Sequence, residues 1–173
     1  MNKRTHYDCR RAANPITIDG DLTKDAWLSA ERSPRFVDMV NGRPALLDTQ
    51  AACLWDDERF YAAFWVGEPD VRADLTERDS LIYNENDVEL FIAGNDCYYE
   101  FEINARGTIY EAFFIWQEAY TKESSFAQAP EFDLTSGGVD ILGGFQDHFD
   151  HPRGPRWVFR EWDFPGIETA VIV

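Results

Sequence analysis

Alternating apolar and polar residues run through most of this chain and predict β-strands joined by short polar turns. Residues 50–55 and 60–66 carry this alternation on either side of the polar stretch 56–59, a pattern typical of a β-hairpin. The segment between them is Asp-Asp-Glu-Arg, which favours a tight turn because its side chains can accept hydrogen bonds from the local backbone.

A second hairpin is predicted from residues 87–93 and 98–104, and a third strand follows at 108–116 after Arg106-Gly107. No long segment has the 3.6-residue period of an amphipathic helix. The pattern therefore predicts an all-β chain, folded as an antiparallel β-sandwich of jelly-roll or immunoglobulin-like type. The later strand candidates are residues 139–142, 157–162 and 169–173.

The N-terminal part predicts one short helix. Ile16-Thr17-Ile18 reads as a strand that ends at Asp19-Gly20, where Gly20 can take a positive φ. Thr23 then has the residue type of a helix N-cap, and the helix must end before Pro34. The three tryptophans of the first 65 residues are expected in the core; they are Trp27, Trp55 and Trp65.

Length and the C-terminal pattern set the domain organisation. The 173 residues fit one domain, which we place at residues 14–173 behind an N-terminal extension at 1–13. The last five residues are an apolar strand candidate without a turn or cap. An unprotected edge invites strand pairing, so we expect either that this strand is buried centrally or that the natural chain continues; an open terminal strand could also pair with a second copy of the chain.

Charge limits the classes of ligand and partner to expect, and the cysteine content bears on disulfides and zinc sites. The formal net charge of −16 disfavours nucleic acid and anionic membranes, and it suits neutral ligands or Ca²⁺. Three well-separated cysteines without a CxxC pair indicate neither a disulfide framework nor a zinc ribbon, and Cys53 and Cys97 are expected to be buried thiols. No apolar signal segment follows Met1, which leaves a cytoplasmic chain or a piece of a longer exported protein as alternatives.

Several short stretches, taken in order, are similar to carbohydrate-binding module family 9. They are Ile16–Leu22 with Trp27, Trp55–Asp57, Glu68–Asp70, Asn86–Ile92, Tyr99–Asn104 and Trp162–Gly166. The resemblance covers residues 14–173 and implies a β-sandwich that binds neutral glycans or glycan chain ends without catalysis, as an accessory to glycoside hydrolysis. It implies no required cofactor, although members of the family often hold structural Ca²⁺. Longer members continue with a stretch that this chain lacks.

The candidate ligand-binding residues lie on and around the second hairpin. Alternation places Tyr99, Phe101 and Ile103 on a core face, and Glu89, Glu100, Glu102 and Asn104 together on the opposite face. Carboxylate and amide groups of this kind bind sugar hydroxyls, and aromatic rings stack on sugar C–H groups. The family resemblance implies a stacking aromatic at Tyr83 and hydroxyl recognition by Glu89. The residues predicted to contact a glycan are Tyr83, Glu89, Glu102, Asn104, Arg106 and Trp116.

Other functions stay open at this point. Glu100 and Glu102, two residues apart on one strand face, have a spacing compatible with a glycosidase. A structural role in assembly through the terminal strand is a further alternative, and a haem-binding relative would need Met39 or a histidine as an axial ligand. The acidic cluster Asp19, Asp21 and Asp25 is interpreted as turn and capping chemistry, since it lacks the ordered loop of a Ca²⁺ site.

Overall fold

The computed structural model describes residues 6–129 and the backbone of residues 156–160. The chain divides into two compact units, with the boundary in sequence between Val71 and Arg72. The described residues form seven strands in two sheets and few helices, which confirms the prediction of a mainly β chain. The sandwich arrangement stays a prediction.

The sheet of the first unit has three strands in the order β1-β2-β3. They are β1 (Arg10–Arg11), β2 (Thr49–Trp55) and β3 (Phe60–Val66). β2 and β3 pair antiparallel, as the alternation predicted, whereas β1 pairs parallel to β2. The prediction of a strand at residues 16–18 was wrong. Residues 10–11, within the predicted N-terminal extension, provide the strand instead, and Ile16 is buried outside any strand.

The turn between β2 and β3 is held by Asp56. Its Oδ1 accepts the backbone N–H groups of Glu58 and Arg59, each at 2.8 Å, and its Oδ2 accepts the hydroxyl of Tyr61 at 2.7 Å. Tyr61 is itself a core residue, so one aspartate connects the turn to the packing of the sheet. These hydrogen bonds lower the pKa of Asp56, the bond from Tyr61 contributing most.

The predicted N-terminal helix is present as α1 (Asp25–Ser29), and it begins one residue later than expected. Thr23 is not the N-cap. Lys24 is the N-cap residue, and its side chain makes no capping hydrogen bond. The hydroxyl of Thr23 donates to Asp21 in the preceding turn. Gly20 has a φ of +76°, which confirms the predicted positive-φ turn.

The core of the first unit forms where α1 packs on β2 and β3. Trp27 is buried there with Leu54 and Tyr61, and Trp65 is partly buried against the same cluster. The prediction that Trp55 lies in the core was wrong, since its side chain is 41% exposed. Alternation points Leu54 inward and therefore turns Trp55 to the other side, where the guanidinium of Arg11 lies 5.6 Å from its ring centre.

The sheet of the second unit is an antiparallel meander in the order β4-β5-β6-β7. Its strands are β4 (Asp87–Ala93), β5 (Cys97–Asn104), β6 (Ile109–Trp116) and β7 (Arg156–Arg160). This confirms the second hairpin, the strand that follows it, and the candidate at 157–162 within two residues. The candidates at 139–142 and 169–173 lie outside the described residues.

The second unit also contains helical turns that the sequence did not predict. Two are 3-10 turns at Ile82–Asn84 and Gln117–Ala119, and one is the short helix α2 (Ser125–Gln128). Ser124 caps α2 by accepting the N–H of Ala127 at 3.3 Å. The prediction of a single helix was therefore wrong, because capping serines can start helical turns too short to show a period.

Apolar residues pack on both sides of β6. Ile82 packs with Tyr110, Ala112 and Phe114 on one side, and Ile115 packs with residues near α2, including Phe126, on the other. The core-face prediction for β5 was therefore incomplete. Tyr99 is buried but Phe101 and Ile103 are half-buried, whereas Glu102 and Asn104 on the opposite face are buried.

All three cysteines are free and half-buried, so the prediction of no disulfide framework is confirmed and the burial of Cys53 and Cys97 is less complete than expected. Burial raises the pKa of Cys53 to about 11.

Candidate functional site

Strand register brings five side chains onto one face of β4 and β5, three of which the sequence placed in the polar patch. Glu89 pairs with Glu102, and Phe91 pairs with Glu100, so these residues share that face with Asp87. We call this surface the acidic face and define it as Asp87, Glu89, Phe91, Glu100 and Glu102. The prediction that Glu89, Glu100 and Glu102 lie together is thus confirmed by the register.

Three carboxylates of the acidic face converge closely. One oxygen from each of Asp87, Glu89 and Glu102 lies within 4.8 Å of the other two. Glu102 is the innermost at 1% exposure, Asp87 is half-buried and Glu89 is exposed. The group therefore runs from the interior of the unit to solvent.

At the buried end of this group, two carboxyl oxygens have no hydrogen-bond partner. Glu102 Oε2 and Asp87 Oδ2 are both buried without a hydrogen-bond partner. Burial of a charge without a donor is costly, and it raises the pKa of both groups, with the neighbouring carboxylates adding to the effect. Loss of hydration also raises the pKa of Glu89, although part of its side chain reaches solvent.

Glu85, close to the same face, shows the opposite behaviour. Burial opposes its ionisation, but its carboxylate accepts the backbone N–H of Asp74 at 2.7 Å and the amide of Asn104 at 2.7 Å. These donors outweigh burial and lower the pKa of Glu85. The supply of hydrogen-bond donors therefore decides whether the pKa of a carboxyl group in this region is lowered or raised.

Asn104 is buried and holds the end of the hairpin. Its Oδ1 accepts the N–H groups of Arg106 and Thr108, both at 3.0 Å. Its Nδ2 donates to the carbonyl of Leu75 at 2.9 Å and to Glu85. The amide predicted to contact a glycan is thus engaged inside the protein, where it joins the β5–β6 turn to the segment before β4.

Tyr83 lies in the 3-10 turn before β4 and is 42% exposed. Its ring meets that of Tyr110 edge-on, with the ring centres 5.7 Å apart. Because Tyr110 pairs with Glu102, which pairs with Glu89, Tyr83 belongs to the same side of the sheet as the acidic face. Its exposed ring is available to stack on a ligand.

Arg106 and Trp116 lie in different environments from those the sequence suggested. The Arg106 side chain is exposed, and its Nε donates to the carbonyl of Ala73 at 2.5 Å. Trp116 is 5% exposed, and its ring centre lies 5.7 Å from that of Tyr98. Trp116 therefore contributes mainly to packing in this structure, and its predicted contact with a ligand has no exposed ring face to support it.

Sequence reasoning left out two members of the acidic face. Asp87 was assigned to the correct face but not to the site, and Phe91, at 53% exposure, is the aromatic closest in sequence to Glu89. The signal was available: a hairpin that pairs residue 89 with residue 102 also places 87 and 91 beside them. Period-2 alternation identifies this face, but it does not show which aromatic stays exposed.

The aspartates of the N-terminal turn are used locally, as the sequence indicated. Asp19 Oδ1 accepts the N–H of Asp21 at 3.1 Å and the ammonium of Lys24 at 2.5 Å. Asp21 Oδ1 accepts both the N–H and the hydroxyl of Thr23. These side chains organise a turn, which agrees with the turn interpretation, whereas the capping part was wrong because α1 has no side-chain cap.

Comparisons with family models, with curated proteins and with solved structures found no match to this chain. Among the residues that the structure describes, no helix has the length and hydrophobicity needed to cross a membrane.

Proposed function

We propose that this chain is a non-catalytic carbohydrate-binding protein and that its ligand lies on the acidic face. The observation that carries the proposal is the pair of exposed side chains Glu89 and Phe91, two residues apart on the same face of β4. A carboxylate beside an exposed ring is the combination that sugars need. The carboxylate accepts hydrogen bonds from hydroxyls, and the ring packs on the C–H groups.

Charge and burial favour one class of ligand for this face. A net charge of −16 and a face with four carboxylic acids favour a neutral sugar over a uronic acid or a phosphorylated ligand. A site on an open strand face buries little area, so we expect dissociation constants between about 10⁻⁶ and 10⁻³ M. Neutral plant-type oligosaccharides, such as those of xylan and cellulose, are the ligands to test first.

The burial of Glu102 supports a non-catalytic role. A glycosidase acid must contact the glycosidic oxygen, and a side chain that is 1% exposed does not present its carboxyl group to a polysaccharide. The glycosidase alternative, which relied on Glu100 with Glu102, thereby loses one of its two carboxyl groups. Assembly through residues 169–173 remains an alternative outside the described residues.

Isothermal titration with xylo- and cello-oligosaccharides tests the proposal. We expect Glu89→Gln and Phe91→Ala each to weaken binding by about 5- to 30-fold, since a charge-assisted hydrogen bond or a stacked ring contributes about 1–2 kcal/mol. Ile92→Ala is the matched control for Phe91, because Ile92 is 52% exposed on the opposite face of the same strand. Glu123→Gln, at an exposed position away from the sheet, is the control for Glu89.

Two outcomes would overturn this function. One is the absence of saturable heat with every neutral oligosaccharide at millimolar concentration. The other is binding that Glu89→Gln and Phe91→Ala leave at the wild-type level, which would move any glycan site away from the acidic face.

A further inference from the structure

Two of the three cysteines lie opposite each other where β1 meets β2. β1 pairs parallel to β2, and Arg10 lies opposite Leu54. One residue earlier on each chain segment, the same register places Cys9 opposite Cys53. Neighbouring strands are about 4.7–4.9 Å apart, and disulfides join residues whose Cα atoms are about 4.4–6.8 Å apart. The backbone spacing therefore suits a disulfide between these two residues.

The two cysteine side chains also point to the same side of the sheet. The next pair but one in the register shows this directly, because the guanidinium of Arg11 lies 5.6 Å from the ring centre of its partner Trp55. Residues two apart along a strand point the same way. Cys9 therefore points to the side of Arg11, and Cys53 points to the side of Trp55, which is the same side.

The segment that carries Cys9 is held against β2 from both ends. Before Cys9, the hydroxyl of Tyr7 accepts the backbone N–H of Cys53 at 3.0 Å. After Cys9, the N–H of Ala12 donates to the carbonyl of Trp55 at 2.8 Å, and Ala12 is a core residue. Since these contacts fix the chain on either side of it, Cys9 stays beside Cys53.

We propose that Cys9 and Cys53, which are free thiols in this structure, are a site of reversible oxidation by low-molecular-weight disulfides. The thiolate of Cys9 attacks one sulfur of the reagent, forms a mixed disulfide and releases one reagent thiolate. The thiolate of Cys53 then attacks the Cys9 sulfur and releases the second reagent thiolate. The protein gives up two protons and two electrons and gains one S–S bond, and the reagent is reduced to two thiols.

The surroundings of each thiol assign the order of these steps. Among the described strands, β1 lies at the edge of its sheet and β2 lies in the middle, so Cys9 is the more accessible to a reagent. Burial raises the pKa of Cys53 to about 11, and the neighbouring Cys9 thiol adds to this effect. Because the thiolate is the nucleophile, Cys53 reacts slowly with an external reagent. Its proximity to the Cys9 sulfur favours the second, intramolecular step.

The disulfide would tie a short strand to the sheet. β1 has only two residues, and a covalent bond beside it replaces a pairing that can open. A disulfide that closes a long loop constrains the unfolded chain and so stabilises the folded one. We expect oxidation to raise the midpoint of thermal unfolding by about 5–15 °C. The site is independent of the proposed carbohydrate binding, because oxidation is measured without any glycan.

The test treats the full 173-residue chain, first reduced and freed of reductant, with excess oxidised glutathione at mildly alkaline pH. We expect the free thiols to fall from three to one and the mass to decrease by about 2 Da. Peptide mapping should identify a peptide that contains Cys9 joined to Cys53. Dithiothreitol should restore the three thiols and the lower unfolding midpoint.

Variants separate the two steps. Cys53→Ala should stop at the glutathione adduct of Cys9, because the second thiol is missing. Cys9→Ala should form less than a tenth of the oxidised product, and glutathione disulfide should leave its unfolding midpoint unchanged. Cys97→Ala is the matched control, because Cys97 is also a half-buried free thiol but lies in β5, so this variant should oxidise at the wild-type rate. If Cys53→Ala does not fold, Cys9→Ala decides the question alone.

Three outcomes would overturn the proposal. The first is a wild-type protein that keeps three thiols, or that keeps a glutathione adduct of Cys9 without forming the internal bond. The second is a main product that contains Cys97 or joins two chains. The third is a Cys9→Ala variant whose unfolding midpoint rises with oxidised glutathione as much as that of the wild type.

Discussion

The amide of Asn104 provides the sharpest test of how this hairpin is held. Asn104→Ala removes four hydrogen bonds at a residue that is 1% exposed. The largest loss is at the Thr108 N–H, which is buried and left without its side-chain acceptor. The Leu75 carbonyl loses less because the Thr108 hydroxyl still donates to it at 2.8 Å.

These losses can be estimated. A buried donor left unsatisfied costs about 1–3 kcal/mol, and each of the other bonds contributes about 0.5–1.5 kcal/mol net. Partial rehydration of Arg106 and Glu85 reduces the sum, so we expect Asn104→Ala to lower the free energy of unfolding by about 2–4 kcal/mol. Asn84→Ala is the control. Asn84 is exposed with one side-chain hydrogen bond at 3.2 Å, and its change should stay within about 0.5 kcal/mol.

Urea unfolding monitored by tryptophan fluorescence measures the change in stability, and amide hydrogen exchange locates it. The Thr108 and Arg106 amides should lose protection in Asn104→Ala well before the centre of β5 does. Asn104→Asp is a second probe, because it replaces the donor 2.7 Å from Glu85 with an oxygen. Its destabilisation should be largest at neutral pH and should shrink in acid. A loss below 1 kcal/mol for Asn104→Ala, or unchanged protection of Thr108, would refute this account of the hairpin.

Three further predictions follow from burial and charge. The raised pKa values of Asp87 (to about 7) and Glu102 make the contribution of these two groups to stability greatest below about pH 4, and that contribution is lost as the pH rises toward these values, by up to about 1.4 kcal/mol per pH unit for each group; in urea titrations from pH 4.5 to 7.5 the wild type should therefore lose more stability, or gain less, than Glu102→Gln, and an equal slope in the two proteins would contradict this. Trp27→Ala should cost about 3–5 kcal/mol, and Trp55→Ala about 1 kcal/mol or less, because only Trp27 is buried; similar unfolding midpoints in the two variants would be inconsistent with the described core. At pH 8, iodoacetamide should modify Cys53 roughly 100-fold more slowly in the folded protein than in urea, since burial raises its pKa from 9.0 to about 11; mass spectrometry that finds equal rates would count against that burial.

Local chemistry explains which parts of the fold were predictable. The two hairpins follow from alternation and from turn residues such as Asp56, whose hydrogen bonds lie within five residues of it. Gly20 was predictable for the same reason. Errors arose where local signals were weak, as at Thr23, whose hydroxyl bonds to Asp21 in place of capping the helix.

Burial was less predictable because it depends on distant segments. Alternation placed Glu102 and Asn104 on a polar face, but Leu75 and Ile82 from the preceding segment pack on that side of the sheet and cover part of it. Nothing in the sequence around residue 102 indicates that a stretch 20–30 residues earlier folds over it. The candidate site was therefore predictable as a set of residues on one face, and its gradient from buried Glu102 to exposed Glu89 was not.

Because β4 lies at the edge of its sheet among the described strands, its carboxylates affect the solubility of the protein. Among the described strands, β4 has a neighbour on one side only, and Phe91, Ile92 and Ala93 are exposed at its end. An apolar edge of this kind can template pairing with another chain, and charged side chains on the edge oppose such pairing. Asp87 and Glu89 supply that charge, so acid, which neutralises them, also removes a barrier to aggregation. Storage of the protein at low protein concentration and at a pH above 7 follows as a practical rule.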